Sequence, residues 1–397
     1  MTYRNDAYQL LQCLCVAARP LRLEELAEIL VPDFHRIEPI KWGQGDWEYE
    51  VLSSCSSLIT LVDNGHSRVV QLSHFSVKEF LTSDRLATSQ GETSRFHITP
   101  KAAHTTLTQA CLATLLRLDG SSSNDQVERN FPLAEYASQH WMEHAQFEMV
   151  SLQVEDDIQR LFDSNQPYLS AWLRLYNIND HWNQLGDAWI DFGSPLYYAS
   201  LCGLRDLADR IIKDHPEQVN ATGGLRHSPL AATLYKGHFH VAELLHQHKA
   251  SVDVKDYNNT TILQAASEDG RSDVVRWLLD HGADMRFQGN DHVTPIHLAA
   301  ANGHPEVIQT LLEHGAYTES KDNDGRTPLH LASSSGDIEI VRLLLEHDAN
   351  ANSVDKDGCT PLSLTWTPEV ERLLLKHGAR RLGSASANLA GIENGKL

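Results

Sequence analysis

A six-residue phrase that recurs at a fixed interval constrains this chain more tightly than any other feature. Thr294-Pro295-Ile296-His297-Leu298-Ala299 returns 33 residues later as Thr327-Pro328-Leu329-His330-Leu331-Ala332. A further step reaches Thr360-Pro361-Leu362, and steps back reach Thr261-Ile262-Leu263-Gln264-Ala265-Ala266 and Ser228-Pro229-Leu230. Ser194-Pro195-Leu196-Tyr197-Tyr198-Ala199 lies 34 residues before that. Self-similarity at such a period marks a stacked architecture, in which each copy hides its apolar side on its neighbours.

The remainder of each copy repeats in phase. Gly203, Gly237, Gly270, Gly303 and Gly336 follow the first segment. Apolar segments come next, such as Val274-Val275-Arg276-Trp277-Leu278-Leu279 and Ile340-Val341-Arg342-Leu343-Leu344-Leu345. His281-Gly282-Ala283, His314-Gly315-Ala316, the degenerate His347-Asp348-Ala349 and His377-Gly378-Ala379 close the copies. Proline in a first helical turn loses only an N–H that would be unpaired anyway, and the Ser or Thr before it caps that turn. Glycine after the helix supplies the left-handed conformation that ends it. Thr360 to His377 spans 17 residues against 20 from Thr327 to His347, a shortening expected of a C-terminal cap.

These motifs resemble the ankyrin repeat family, which implies a solenoid of about six helix pairs over residues 193–382. The resemblance also implies that His297 and His330 hydrogen-bond groups of neighbouring repeats and that the closing histidines tie down a turn. The 22 histidines are then largely structural, and neither an HExxH pattern nor paired CxxC motifs point to a metal.

A chain of 397 residues exceeds one hydrophobic core, so two or three folding units are expected. Hydrophobic residues at 41% and charged residues at 22% argue against global disorder. With 33 basic and 53 acidic side chains the formal net charge is -20, which disfavours phosphate backbones and anionic membrane surfaces. Cys13, Cys15, Cys55, Cys111, Cys202 and Cys359 are too sparse for a disulfide scaffold, and the first residues have no signal-peptide layout. A cytoplasmic setting is expected, with the nucleus as the other possibility.

Over residues 6–18, Tyr8, Leu11, Leu14 and Cys15 share a helical face. Leu23–Leu30 reads as a second helix stopped by Pro32, and a third is expected from Trp47 to Ser57. Leu58–Val62 and Arg68–Leu72 flank Asp63-Asn64-Gly65-His66-Ser67, a hairpin signal. Three helices and a hairpin form a winged-helix arrangement. DNA reading is disfavoured, because the third helix carries Glu48 and Glu50 rather than the basic or amide side chains that contact base edges. Leu72-Ser73-His74-Phe75-Ser76-Val77-Lys78-Glu79-Phe80-Leu81 resembles the end of the winged helix in fungal NACHT–ankyrin proteins. Phe131–Ala137 with Trp141 and His144 is similar to the helical spacer of those proteins, and Tyr168–Leu175 continues it. His74 has no nucleophile motif around it and reads as structural, at a strand–helix junction.

The phosphate loop GxxxxGK[ST] of that family is missing, as are GxSxG, GxGxxG and kinase signatures. The chain therefore looks like the regulatory half of such a receptor, whether as a truncated relative, a split gene product or a fragment. The expected fold is mainly α: a winged-helix-like unit at 1–95, a helical spacer at 96–192, ankyrin repeats at 193–382, and a disordered tail at 383–397. The Gly120–Asp125 run reads as a flexible loop.

Function is expected to be binding without catalysis, with no cofactor or metal, a protein partner, and neither nucleic acid nor membrane. The turn tips and inner helix faces would form the contact surface. The candidate residues there are Lys255, Tyr257 and Asn258; Phe287, Asn290 and His292; Asn323 and Arg326; and Lys356. Tyr257 and Phe287 are read as exposed aromatic anchors. Asp256, Asp291, Asp322, Asp324, Asp355 and Asp357 share the tips, and Asp322, Asp324 and Asp357 are the ones that can equally be turn-forming residues. The alternatives are a nuclear co-regulator whose repeats hold a transcription factor, and an enzyme of unrecognised type, which would need a pocket gathering titratable groups.

Overall fold

A computed structural model describes residues 2–30, 55, 57–63, 65, 67–89, 92–176 and 193–381. Two units are distinguished, Met1–Trp189 and Ile190–Leu397.

In the first unit, α1 (Thr2–Val16) and α2 (Leu23–Ile29) flank the short strand β1 (Leu21–Arg22). Strands β2 (Ile59–Asp63) and β3 (Arg68–Leu72) form the expected hairpin. The sheet is antiparallel in the order β1-β3-β2, with Leu21 and Leu61 both opposite Val70. The turn works because Gly65 adopts a φ of +81° and its N–H donates to Asp63 Oδ1 at 2.8 Å. Helix α3 (Phe75–Leu81) follows, capped by His74, whose Nδ1 accepts from Ser76 N. His74 is thus the junction residue its setting suggested. The short helix α4 (Asp84–Ala87) and one 3-10 turn (Glu92–Phe96) complete this part. The helix expected from Trp47 to Ser57 falls, but for Cys55 and Ser57, outside the described residues, as do Pro32 and the tail at 383–397.

Helices α5 (Pro100–Leu115), α6 (Asn124–Asn130), α7 (Ala134–Ala145), α8 (Glu155–Leu161) and α9 (Tyr168–Leu175), with a 3-10 turn at Val150–Gln153, account for the other elements among the described residues of the unit. Helix α5 packs on both α1 and α7, so α1 is buried on more than one face. Leu10 and Cys13 are fully buried beside Leu11 and Cys15, whereas Leu14 is only half-buried. The Gly120–Asp125 run is not all loop. Ser123 forms a capping box with Gln126, and its last two residues open α6. Trp141 and Trp172 meet edge to face at 5.5 Å, and Trp172 Nε1 donates to Ser138 O at 2.9 Å.

Two buried carboxylates hold these elements together. Glu25 receives Arg19 at 2.7 Å and Arg22 at 3.0 Å. Glu28 accepts from Leu133 N at 2.8 Å, Thr114 Oγ1 at 3.2 Å and Arg117 at 3.3 Å. Burial nevertheless pushes the Glu28 carboxyl up to about 7 against these favourable partners.

In the second unit the described residues form six helix pairs. They are α10 (Pro195–Leu201) with α11 (Arg205–Asp214), α12 (Pro229–Lys236) with α13 (Phe239–Gln247), and α14 (Ile262–Glu268) with α15 (Ser272–Asp280). Then come α16 (Pro295–Asn302) with α17 (Pro305–Glu313), α18 (Pro328–Ser335) with α19 (Ile338–Glu346), and α20 (Pro361–Leu364) with α21 (Pro368–Lys376). First helices pack on first helices and second on second, most loosely between the second and third pairs. From the second pair on, the turn after the second helix holds a left-handed residue, and where the HGA glycine is replaced Lys249 and Asp348 adopt it at φ +65° and +61°.

Stacking of buried aliphatic side chains should dominate the stability of this unit. Leu311, fully buried in α17, should cost about 2–5 kcal/mol when replaced by alanine. Ile338→Ala, at a side chain 43% exposed, should cost well under half of that. Urea denaturation of the two variants checks the ranking.

Candidate partner-binding face

The first helices are joined by one repeated device. Thr294 caps α16, and His297 accepts from Thr294 Oγ1 at 2.7 Å and from Thr294 N at 3.3 Å through Nδ1. Its Nε2 donates to Arg326 O of the following repeat at 3.1 Å. His330 does the same with Thr327 and with Cys359 O, at 2.8 and 3.2 Å. Gln264 reproduces the pattern with an amide: Oε1 accepts from Thr261 N at 3.0 Å and Nε2 donates to Val293 O at 2.8 Å. The TPxH histidines therefore bridge repeats, as the resemblance implied. The closing histidines tie their own helix ends, His281 Nδ1 donating to Trp277 O and His314 Nδ1 to Thr310 O.

At the tips, aspartates organise the turns. Asp256 Oδ1 accepts from Asn258 N and Thr260 N, Asp322 Oδ1 from Asp324 N and Arg326 N, and Asp355 Oδ1 from Asp357 N and Cys359 N, at 2.7–3.0 Å. Adjacent tips are then laced together. Asn290 Nδ2 donates to Asn258 O at 2.8 Å, Asn323 N to Asp291 O at 2.8 Å, and Lys356 N to Asp324 O at 2.9 Å. Asp291 and His292 hold successive left-handed conformations, φ +61° and +58°, which non-glycine residues rarely adopt.

The residues singled out from sequence thus differ in what they have left to offer. Tyr257 is 74% exposed, with its ring 3.9 Å from that of His227. Lys255, Asn258, His292 and Lys356 are also exposed. Asn290 and Asn323 are exposed but spend side-chain N–H groups on the neighbouring tip. Arg326 is held by Asp322 and Asp324, both at 2.9 Å. Phe287 is not the exposed aromatic expected: it is half-buried, with the Lys255 ammonium 4.0 Å above its ring. Sequence reading passed over Arg226, whose guanidinium stacks 3.4 Å from the Tyr235 ring centroid on the same face. The available signal was Ala231, which interrupts the bridging position.

The strongly shifted titratable groups of the first unit serve packing. Burial pushes the Cys13 thiol up to about 12 and that of Cys55 to about 11, far from a nucleophilic thiolate. Burial and the His104 ring hold His144 down at about 4, and it sits between Tyr136 Oη at 2.8 Å and His104 Nδ1 at 3.0 Å. Among the described residues no cluster of His, Cys, Asp or Glu is arranged to hold a metal ion, and no helix is long and apolar enough to cross a membrane.

Comparison with known proteins gives matching assignments. The family described as ankyrin repeats (3 copies) matches residues 196–289 and 296–381, and the winged helix domain of GPI inositol-deacylase matches residues 1–99. This pairing is the C-terminal arrangement of NACHT proteins, and no NACHT domain is detected. The chain is 31% identical over 272 residues to the azaphilone pigments biosynthesis cluster protein L of Monascus ruber, which aligns with 63% of this chain and 56% of that protein. The chain thus spans little more than half the length of that curated relative.

The bridging histidines make stability pH-dependent with a defined sign. Accepting at Nδ1 and donating at Nε2 requires the neutral ring, and burial lowers both residues below the usual 6.5. The unfolded chain takes up protons first, so stability falls as pH drops through that value. Replacing His297 and His330 with glutamine, the residue already used at 264, should flatten the dependence. Urea midpoints at pH 7.5 and about 5.5, compared between the parent and the double variant, isolate this contribution.

Proposed function

We propose that this chain, an ankyrin-repeat protein with an N-terminal winged-helix domain, is a non-catalytic adaptor that binds a partner protein through the concave face of its repeats. What chiefly supports this reading is the laced row of tips. Asn258–Asn290, Asp291–Asn323 and Asp324–Lys356 fix neighbouring turns to one another, so the exposed side chains stand on a rigid backbone. A surface ordered in advance loses little entropy when it binds. Lys255, Tyr257, Asn258, Phe287, Asn290, His292, Asn323, Arg326 and Lys356 are the contact residues in this reading, with Asn290, Asn323 and Arg326 presented already held by neighbouring side chains or tips.

Ankyrin repeats are typically non-catalytic, and the perturbed groups of the first unit are locked in packing rather than gathered in a cleft. The winged-helix–ankyrin arrangement suggests the regulatory portion of a NACHT-type receptor, acting in the cytosol or nucleus. We take the winged-helix part as residues 1–95, the spacer as 96–192 and the repeats as 193–382.

The test is affinity capture from the native host with the full chain as bait, followed by capture with Tyr257→Ala/Phe287→Ala. The reading expects recovery of a specific partner to fall about tenfold when two anchor side chains are lost, with the melting temperature of the bait changed by no more than a few degrees. Undiminished recovery by the double variant would remove this face as the binding surface.

A further inference from the structure

The bridge to a carbonyl is lost between the second and third repeats, whereas between the first and second Tyr197 Oη accepts instead from Arg226 N at 3.1 Å. The bridging position is held by Gln264, His297 and His330 in later repeats, each reaching a carbonyl 29 residues on. In the second repeat Ala231 stands there, and its methyl group carries nothing that can reach Thr260, 29 residues on. The second and third repeats are also the neighbours that pack most loosely. A groove of about 100 Å³ opens at this junction, with Ala231, Ile262 and Ala265 among its apolar lining. Cofactor-sized pockets are several times larger, so the space suits one side chain of a longer ligand.

The rim mixes charges, with Arg226, Lys255 and Arg271 beside Asp256 and Asp269, in a protein of formal net charge -20. Asp256 gives its Oδ1 to backbone N–H groups, and Arg271 is paired with Asp273 at 3.2 Å. Arg226 and Lys255 lie instead on aromatic rings, and among the described residues neither is within ion-pair distance of a carboxylate. Arg226 Nε is buried without a hydrogen-bond partner. Leu225, 49% exposed, adds apolar surface at the edge.

We propose that this groove is the anchor site for an acidic segment of the partner protein. One aliphatic or aromatic side chain enters the space left by Ala231, and a neighbouring carboxylate pairs with Arg226 and Lys255. The proposal rests on the concave-face reading and narrows it to one junction and one ligand chemistry. A guanidinium already held flat on Tyr235 offers its donor fork to a carboxylate with little further ordering.

The experiment applies the full chain to a peptide array in which Leu, Ile, Phe or Tyr is set among Asp and Glu. Parallel arrays carry Asn and Gln, or Lys and Arg, in the flanking positions. The strongest acidic sequence is then titrated by fluorescence anisotropy. Acidic flanks should be preferred by about tenfold, and Arg226→Gln should remove most of that preference. Ala231→His should fill the groove and restore the missing bridge, weakening the peptide about tenfold while the urea midpoint holds or rises. Arg342→Gln, on a second helix, should leave binding unchanged.

Equal or better binding of neutral or basic peptides would overturn the proposal, as would indifference to both R226Q and A231H. So would competition by single-stranded RNA for the same residues, or occupation of the groove by a second copy of the chain seen in sedimentation. Hydrogen-exchange footprints of bound peptides separate the two levels. Protection of the repeats without charge preference defeats the anchor site alone, whereas protection confined to residues outside the repeats, or no binding at all, defeats the concave-face reading with it.

Discussion

Each of three repeats is fastened to the next by a buried side chain that faces two ways. His297, His330 and Gln264 accept from the threonine that caps their own helix and donate to a carbonyl one repeat further on. A buried hydrogen bond contributes only about 1 kcal/mol net, but leaving its partners unsatisfied costs about 1–3 kcal/mol each. The device therefore acts mainly as a register lock. Apolar stacking supplies the bulk of the stability, and the bridge determines the spacing at which that stacking occurs. The lacing of the tips follows from it, because Asn290 can meet Asn258 O only when adjacent repeats stand one fixed step apart.

The first unit solves a different problem with buried charge. Glu28 is almost wholly removed from water, where a lone carboxylate is strongly disfavoured, yet it satisfies Leu133 N, Thr114 and Arg117. Its contacts bring α2 of the winged helix, the end of α5 and the start of α7 to one point. Tyr8 adds a second tie, its hydroxyl donating to His97 O at 2.8 Å. Such an arrangement is worth little as a source of stability but penalises any packing that separates these elements.

Much of this was legible in the chain because the repeats are written in local rules. Proline at N1, Ser or Thr at the cap and glycine at the helix end each act within a few residues, so the six helix pairs fall where their motifs stand. Features decided by distant neighbours were not legible. Leu10 and Cys13 are buried because α5, some ninety residues on, covers that side of α1. Phe287 is half-buried because Lys255, one repeat earlier, folds across it. The serine-rich run looked like pure loop because composition gives no weight to the capping box that Ser123 forms with Gln126. Nor does any residue type reveal whether a tip asparagine is offered to a partner or spent on the next turn.

The distribution of charge limits how recognition on this face can proceed. A ligand of acidic character meets a protein carrying -20 overall, so at long range it is repelled rather than steered. At physiological ionic strength that field decays over about 8 Å, which leaves cations within a groove to act on a ligand already in contact. Arg226 and Lys255, each laid on an aromatic ring, have such short reach. Discrimination by such a site must reside in how long a complex lasts, because attraction begins only after encounter. A rigid stack suits that regime: it does little to hasten collision, but it keeps the contacts of a fitting ligand from loosening one at a time.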